Sequence, residues 1–234
     1  NTLEIQRQIV LGYEGDIRKY AVGLDKGRIE NVFRSVPSQL AKENKKFQIS
    51  KVRPGARFKD YRGCFEWLED AGIVSICRAL LTPHLPLKGN VNDDSCVLYY
   101  ADSGLLLSQL DDDAQMDFRQ NKNFDVYKGG FFESIVAEAL VKSGYDLCYY
   151  KKENSSLQEE FFVRRQDYLV PIEVKAGNNR SKSLSTLIQS DSYEEIKFGI
   201  KIANANIGYD SNILTFPHFC AFLIKEFLST FNWK

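Results

Sequence analysis

In the segment "YLVPIEVKAGNN", residues 168–179, Val170, Ile172 and Val174 alternate with Glu173 and Lys175, and the run stops at Gly177 and two asparagines. Alternation of this kind predicts a β-strand with one apolar face. A second run, "QEEFFVRR" (158–165), comes just before it. With Arg165–Tyr168 as a four-residue turn, hairpin pairing sets Glu160 opposite Glu173 and Gln158 opposite Lys175 on one face. Phe161, Val163, Ile172 and Val174 then form a continuous apolar layer on the other face, which a slip of one residue would scramble. A third carboxylate, Glu133, lies in the first turn of the helix predicted for "YKGGFFESIVAEALVKSGYD" (127–146), where the helix dipole favours an ionised acid.

Two or three carboxylates one strand spacing apart repel one another unless a cation lies between them, and all-oxygen ligands suit Mg²⁺ or Mn²⁺. A neighbouring ammonium such as Lys175 would orient or activate a water and stabilise charge on a phosphate. Together these groups are the equipment for metal-assisted hydrolysis of a phosphodiester. Taken singly, each has a plainer explanation. Glu-x-Lys on a strand is an exposed ion pair in most proteins, Glu133 is a first-turn helix charge, and Glu160 is an exposed strand residue. Their order along the chain, helix acid, strand acid, then Glu-x-Lys, is what makes a site of them.

The surrounding chain has to position these groups. At 234 residues it is long enough for one large domain or two small ones, and at 44% hydrophobic and 26% charged residues it has the composition of an ordinary globular protein. Lysine plus arginine balances aspartate plus glutamate at 31 each, so any affinity for nucleic acid must come from a local patch. The five cysteines form no Cys-x-x-Cys pair, which argues against a disulfide framework and a zinc site and for a reducing cytoplasm. No apolar run of about 18 residues is present to span a bilayer. The opening "NTLEIQRQIV" reads as the middle of a helix, so a fragment of a longer protein is expected.

Residues 1–110 are expected to form a helical, winged-helix-like region: helices at "RIENVFRSVPSQLAKENKKF" and "RFKDYRGCFEWLEDAGIV", then two short strands, "IVSICRAL" and "CVLYYA", around a Pro- and Gly-containing loop. Residues 42–62 hold Lys42, Lys45, Lys46, Lys51, Arg53, Arg57, Lys59 and Arg62 against Glu43 and Asp60. Lys51, Arg53, Arg57 and Lys59 are therefore candidate phosphate contacts, although a solvated face or a docking surface would have the same composition. Residues 111–127, polar and acidic with weak periodicity, read as a connector, and 128–234 as an α/β region of strands flanked by helices. The two histidines, His84 and His218, are far apart and read as surface or packing residues.

At "GGFFES", "NSSLQEEFFVRR" and "PIEVKAGNNRSKSL" the chain resembles a PD-(D/E)xK nuclease-like module. More closely, it is similar to the C-terminal DUF4143-type module of uncharacterised prokaryotic AAA-type ATP-binding proteins, a likeness that extends upstream through "DIRKY", "WLEDAGIV" and "YYADSGLL". The resemblance implies an N-terminal P-loop ATPase domain ahead of residue 1, a winged helix, then a restriction-endonuclease-like mixed sheet flanked by helices. The chain itself contains no GxxxxGK[ST], so no ATP site is expected in it. Carried over by position, Glu160, Glu173 and the Val174 carbonyl would hold Mg²⁺ or Mn²⁺, Lys175 would assist the water, and Glu133 would support a ligand or a second metal. Arg164, Arg165, Arg180 and Lys182 are further phosphate-contact candidates, DNA and a second copy of the chain are candidate partners, and no membrane is implied. The chain departs from the family pattern at Glu160, where an Asp is usual, and at Gln158, where an acid is usual. The extra methylene shifts a carboxylate by about one bond length at a metal that requires near-ideal octahedral distances. An inactive module that regulates the ATPase or binds a partner is therefore the alternative reading.

Overall fold

The computed structural model describes residues 2–42, 44–120 and 125–230. Residues 121–124 of the expected connector, Glu43 of the basic segment, Asn1 and the last four residues of the C-terminal region lie outside these. The chain divides into two compact units, Asn1–Ile76 with Asp94–Ser134, and Cys77–Asp93 with Ile135–Lys234.

Helices dominate the first half: α1 (Thr2–Tyr20), α2 (Lys26–Leu40), the short α3 (Ile49–Val52) and α4 (Arg62–Asp70). Helix α2 starts where the Asp25 side chain accepts the Arg28 N–H, an N-cap bond. Its buried residues, Ile29, Val32, Phe33, Val36 and Leu40, recur at three- and four-residue spacing, so one stripe faces the core. Helix α4 buries Cys64, Phe65 and Leu68 and gives way at Gly72, whose φ of 69° belongs to the left-handed region.

The strands β1 (Val74–Leu80) and β2 (Val91–Tyr100) follow. β2 starts five residues ahead of the apolar run "CVLYYA". It is an edge strand, so exposed Asp93 and Asp94 can extend it without burying charge.

Helices α5 (Ser103–Ser108), α6 (Asp112–Gln120) and α7 (Asp125–Lys142) come next. Most of the segment read as a connector is therefore helical. The signal overlooked was a cap: Asp111 Oδ1 accepts the Ala114 N–H at 2.7 Å, and Asp112 and Asp113 occupy the first turn, where the dipole favours acids. Gly130 lets α7 approach the end of α2, because a Cβ there would lie 2.5 Å from the Leu40 carbonyl oxygen.

The second half carries β3 (Cys148–Lys151), β4 (Gln158–Glu159), β5 (Phe161–Arg165), β6 (Tyr168–Val174), α8 (Lys182–Gln189), β7 (Gly199–Ala203), β8 (Gly208–Asp210), β9 (Ile213–Pro217), a 3₁₀ turn (His218–Leu223) and α9 (Ile224–Thr230). One small sheet has the order β2-β1-β3-β4 and a five-stranded mixed sheet the order β5-β6-β7-β9-β8. The fold is mixed α/β: a helical N-terminal region with a small sheet, then a five-stranded mixed sheet flanked by helices. No described helix is long and apolar enough to cross a membrane.

In the larger sheet β6, β7 and β9 run parallel, with antiparallel β5 and β8 at the edges. Register fixes two unlike faces. Ile172 pairs with Ile200 and Leu214, and Val174 with Ile202 and Phe216, giving an apolar face. The intervening row is Glu173, Lys201 and Thr215, which point to the opposite face. Helix α8 covers that opposite face, since a Cβ on Gly199 would meet Leu184 Cδ1 at 2.4 Å. Leu187 of α8 joins Phe162, Leu169, Tyr150 and Tyr193 in the core beneath it. The polar row thus emerges where α8 begins.

Candidate functional site

The β5–β6 hairpin has the register read from the sequence as far as Phe161, which pairs with Ile172, and Arg165 pairs with Tyr168 across a turn in which Gln166 has φ 52°. Beyond Phe161 the expectation does not hold. The chain bends at Glu160, and Gln158 and Glu159 pair instead with Lys151 and Tyr150 of β3. Gln158 is therefore not opposite Lys175, and Glu160 is not a rung of the ladder. The physical reason is that β3 offers residues 158 and 159 a free edge for backbone pairing, and the bend at Glu160 that turns them onto it carries them off the β6 ladder.

The bend brings an unforeseen residue to the site. Glu159, fully buried on β4 against β6 and α8, has no hydrogen-bond partner on either carboxylate oxygen among the described residues. Burial pushes its carboxyl well above the usual carboxylate range, the charges of Glu160 and Glu173 push it further, and Lys175 pulls the other way. A neutral or cation-bound Glu159 is what such surroundings favour. No strand parity could have found it, because the bend at Glu160 breaks the alternation between Glu159 and Phe161.

Glu173, at the end of β6, is buried and accepts from Lys175 Nζ at 2.6 Å, while its Oε2 has no partner among the described residues. Burial lowers the pKa of Lys175, but the hydrogen bond to Glu173 and the charges of Glu173, Glu160 and Glu159 outweigh it and leave the ammonium stabilised. Glu160 Oε2 accepts the Val174 N–H at 3.0 Å and so ties the bend to the end of β6. His218 Nε2 lies 2.8 Å from the Lys175 carbonyl; a carbonyl only accepts, so this nitrogen carries the proton. Burial lowers the His218 pKa, which keeps the ring neutral, and the residue that read as packing in fact positions the Lys175 backbone.

The other candidates divide by location. Glu133 is buried in the first unit, where it accepts from Lys45 Nζ at 2.6 Å and from the Tyr99 hydroxyl at 3.3 Å. Lys45 is consequently no surface phosphate contact. Lys51, Arg53, Arg57 and Lys59 are exposed on α3 and the turns before α4, with no side-chain bond to any described residue. Arg164 and Arg165 stand at the turn end of β5, roughly 15 Å along the strand from Glu160 at about 3.3 Å per residue. Arg180 and Lys182 instead flank the start of α8, on the sheet face of Glu173.

Among the described residues no three His, Cys, Asp or Glu side chains are arranged to hold one metal ion. Mg²⁺, however, is commonly held by one or two carboxylates, with water completing its shell. Two buried carboxylates with unpartnered oxygens, Glu159 and Glu173, fit that requirement in donor chemistry.

Residues 1–116 match the model of a domain of unknown function, DUF8612, and residues 128–219 match that of a second, DUF4143. The DUF4143 likeness thus covers the site-bearing part of the chain, and the upstream segments fall under the separate DUF8612 match. No curated protein and no solved structure matches the chain.

Proposed function

We propose that residues 128–234 are a PD-(D/E)xK nuclease-like module with a restriction-endonuclease-like sheet, which hydrolyses phosphodiester bonds of nucleic acid in a protein that also carries an AAA-type ATPase domain. The observation that carries this reading is the fully buried, unpartnered Glu159 beside Glu160, Glu173 and Lys175. Glu159 and Glu173 would hold Mg²⁺ or Mn²⁺, with Glu160 and the Val174 carbonyl completing the family's ligand positions. A divalent cation there would polarise a phosphoryl oxygen and acidify the attacking water. Lys175, kept protonated by Glu173, stabilises charge building on the phosphate. His218 holds the Lys175 backbone, and Glu160 holds the end of β6. Glu133, tied to Lys45, supports its own helix.

Calorimetric titration with Mn²⁺, together with cleavage assays on single- and double-stranded DNA, tests the reading. Native protein should bind Mn²⁺ and cleave, whereas a Glu173→Ala, Lys175→Ala double variant should do neither. Equal, negligible Mn²⁺ affinity and no cleavage in both would leave the second reading, a catalytically inactive module that regulates the ATPase or binds a partner. That reading is favoured by the engagement of Glu160 with the Val174 backbone rather than with its fellow carboxylates.

For residues 1–110 we read a winged-helix-like region that contacts DNA through Lys51, Arg53, Arg57 and Lys59, which are exposed and without described ion pairs. Reversing the charge of Arg53, Arg57 and Lys59 should abolish DNA affinity and flatten its salt dependence. A native protein with no salt dependence would remove this role.

A further inference from the structure

A polar cleft of about 580 Å³ opens where α8 begins, lined by Arg180, Ser181, Lys182, Lys201, Asp210 and Thr215 among others. Three cations face one carboxylate there. Lys201 is the informative member. It rises from the middle of β7, is 9% exposed, and its ammonium bonds only the neutral Asn178 Oδ1 at 2.7 Å, with no ion pair among the described residues. A nearly buried cation without a counter-charge is costly unless an anion reaches it. Ser181 supplies a second sign. Its Oγ is buried and has no hydrogen-bond partner among the described residues, although it occupies the N-cap position of α8, where a serine hydroxyl ordinarily bonds the first turn. The N–H groups and the dipole of that first turn favour an anion at the same place. Asp210, whose Oδ1 accepts from Ser211 Oγ, sits on the exposed far wall.

We infer that this cleft binds the phosphate of a nucleotide unit, through Lys201, Ser181 and the α8 N-terminus within, and Arg180 and Lys182 at the mouth. A phosphate supplies several acceptor oxygens and the negative charge that Lys201 lacks. The volume exceeds what a lone oxyanion fills, which leaves room for a nucleoside-sized body beside the phosphate. The unit can come from a free mononucleotide or from a polynucleotide strand. The inference does not depend on metal binding by the carboxylates. If the nuclease-like reading also holds, Lys201, the ladder partner of Glu173, puts a bound strand over the β-strand next to the one that carries that carboxylate.

The test is binding in EDTA, which separates this cleft from the carboxylates, using adenosine, AMP and a fluorescein-labelled 12-nucleotide single strand. AMP or the 12-mer should bind while adenosine does not. An Arg180→Ala, Lys182→Ala double variant, altered only at exposed positions, should weaken that binding at least tenfold, and Ser181→Ala should weaken it severalfold. Binding of AMP alone identifies a free nucleotide as the ligand. Binding of the 12-mer alone identifies a strand. Equal binding of adenosine and AMP, unchanged affinity in the double variant, or no binding of any probe would overturn the inference.

Discussion

Glu133 in the first unit and Glu159 in the second are buried to nearly the same degree, 4% and 0% exposed, yet their surroundings are opposite in kind. Glu133 receives an ammonium and a phenol hydroxyl. Glu159 receives no hydrogen bond from the described residues and lies near two further carboxylates, with the Lys175 charge as a partial offset. Burial alone therefore says little about function. A partnered acid belongs to the packing of its unit, and breaking the pair exposes the cost of the charge left behind. An unpartnered one lowers stability, and chains keep such groups where a ligand or a reaction uses them.

The sharpest way to break this comparison is to remove each acid in turn. Glu133→Ala leaves the Lys45 ammonium, 13% exposed, without its carboxylate, and should cost about 3–5 kcal/mol in urea denaturation. A loss below about 1 kcal/mol would mean that Glu133 is no structural partner. Glu159→Met keeps the shape and deletes an unsatisfied group, so it should raise stability by about 1–3 kcal/mol. On the metal-binding proposal, the same change should abolish stabilisation by Mn²⁺, which would reach about 2.7 kcal/mol in the native protein at a hundredfold excess over Kd. Destabilisation by Glu159→Met, with the Mn²⁺ effect intact, would make Glu159 a packing residue and erase the contrast. A finer probe of the satisfied side is Tyr99→Phe, which removes the 3.3 Å hydrogen bond to Glu133 and should cost about 1 kcal/mol.

How far this contrast was legible in the sequence differs residue by residue. Alternation and hairpin parity gave the β5–β6 register correctly, because one slip would have buried charge along a whole face. The same parity failed at Glu160, since it cannot know that β3, reached through a separate loop, competes for residues 158 and 159. Helices α2 and α4 were visible as apolar stripes, whereas α6 was lost because its cap residue, Asp111, stands in an acidic run that resembles a linker. Glu173 and Lys175 were found from their spacing. Lys45 as the partner of Glu133, and Lys201 as the neighbour of Glu173, are pairings between distant segments, and no local pattern records them. The three-dimensional sorting of acids into satisfied and unsatisfied was the part the sequence withheld.

A last prediction extends the satisfied side of the comparison to Glu14, which takes two bonds from Arg34, at 2.6 and 2.8 Å, on helices α1 and α2. The Arg34 hydrogen bonds hold its carboxyl below the ordinary value of 4.5, against the opposing pull of burial. A folded-state pKa below the unfolded one means that the unfolded chain binds more protons between the two. The pair therefore stabilises fully above pH 4.5, and that contribution fades as pH falls through the folded value. Replacing Arg34 by Met should cost about 1 kcal/mol or less at pH 7, given that the arginine is half exposed. The deficit should shrink as thermal melts are repeated toward pH 3. A deficit that stays constant from pH 7 to pH 3 would assign the effect to lost packing of the arginine stem. Glu14 would then no longer serve as a second example of an acid held by its partner.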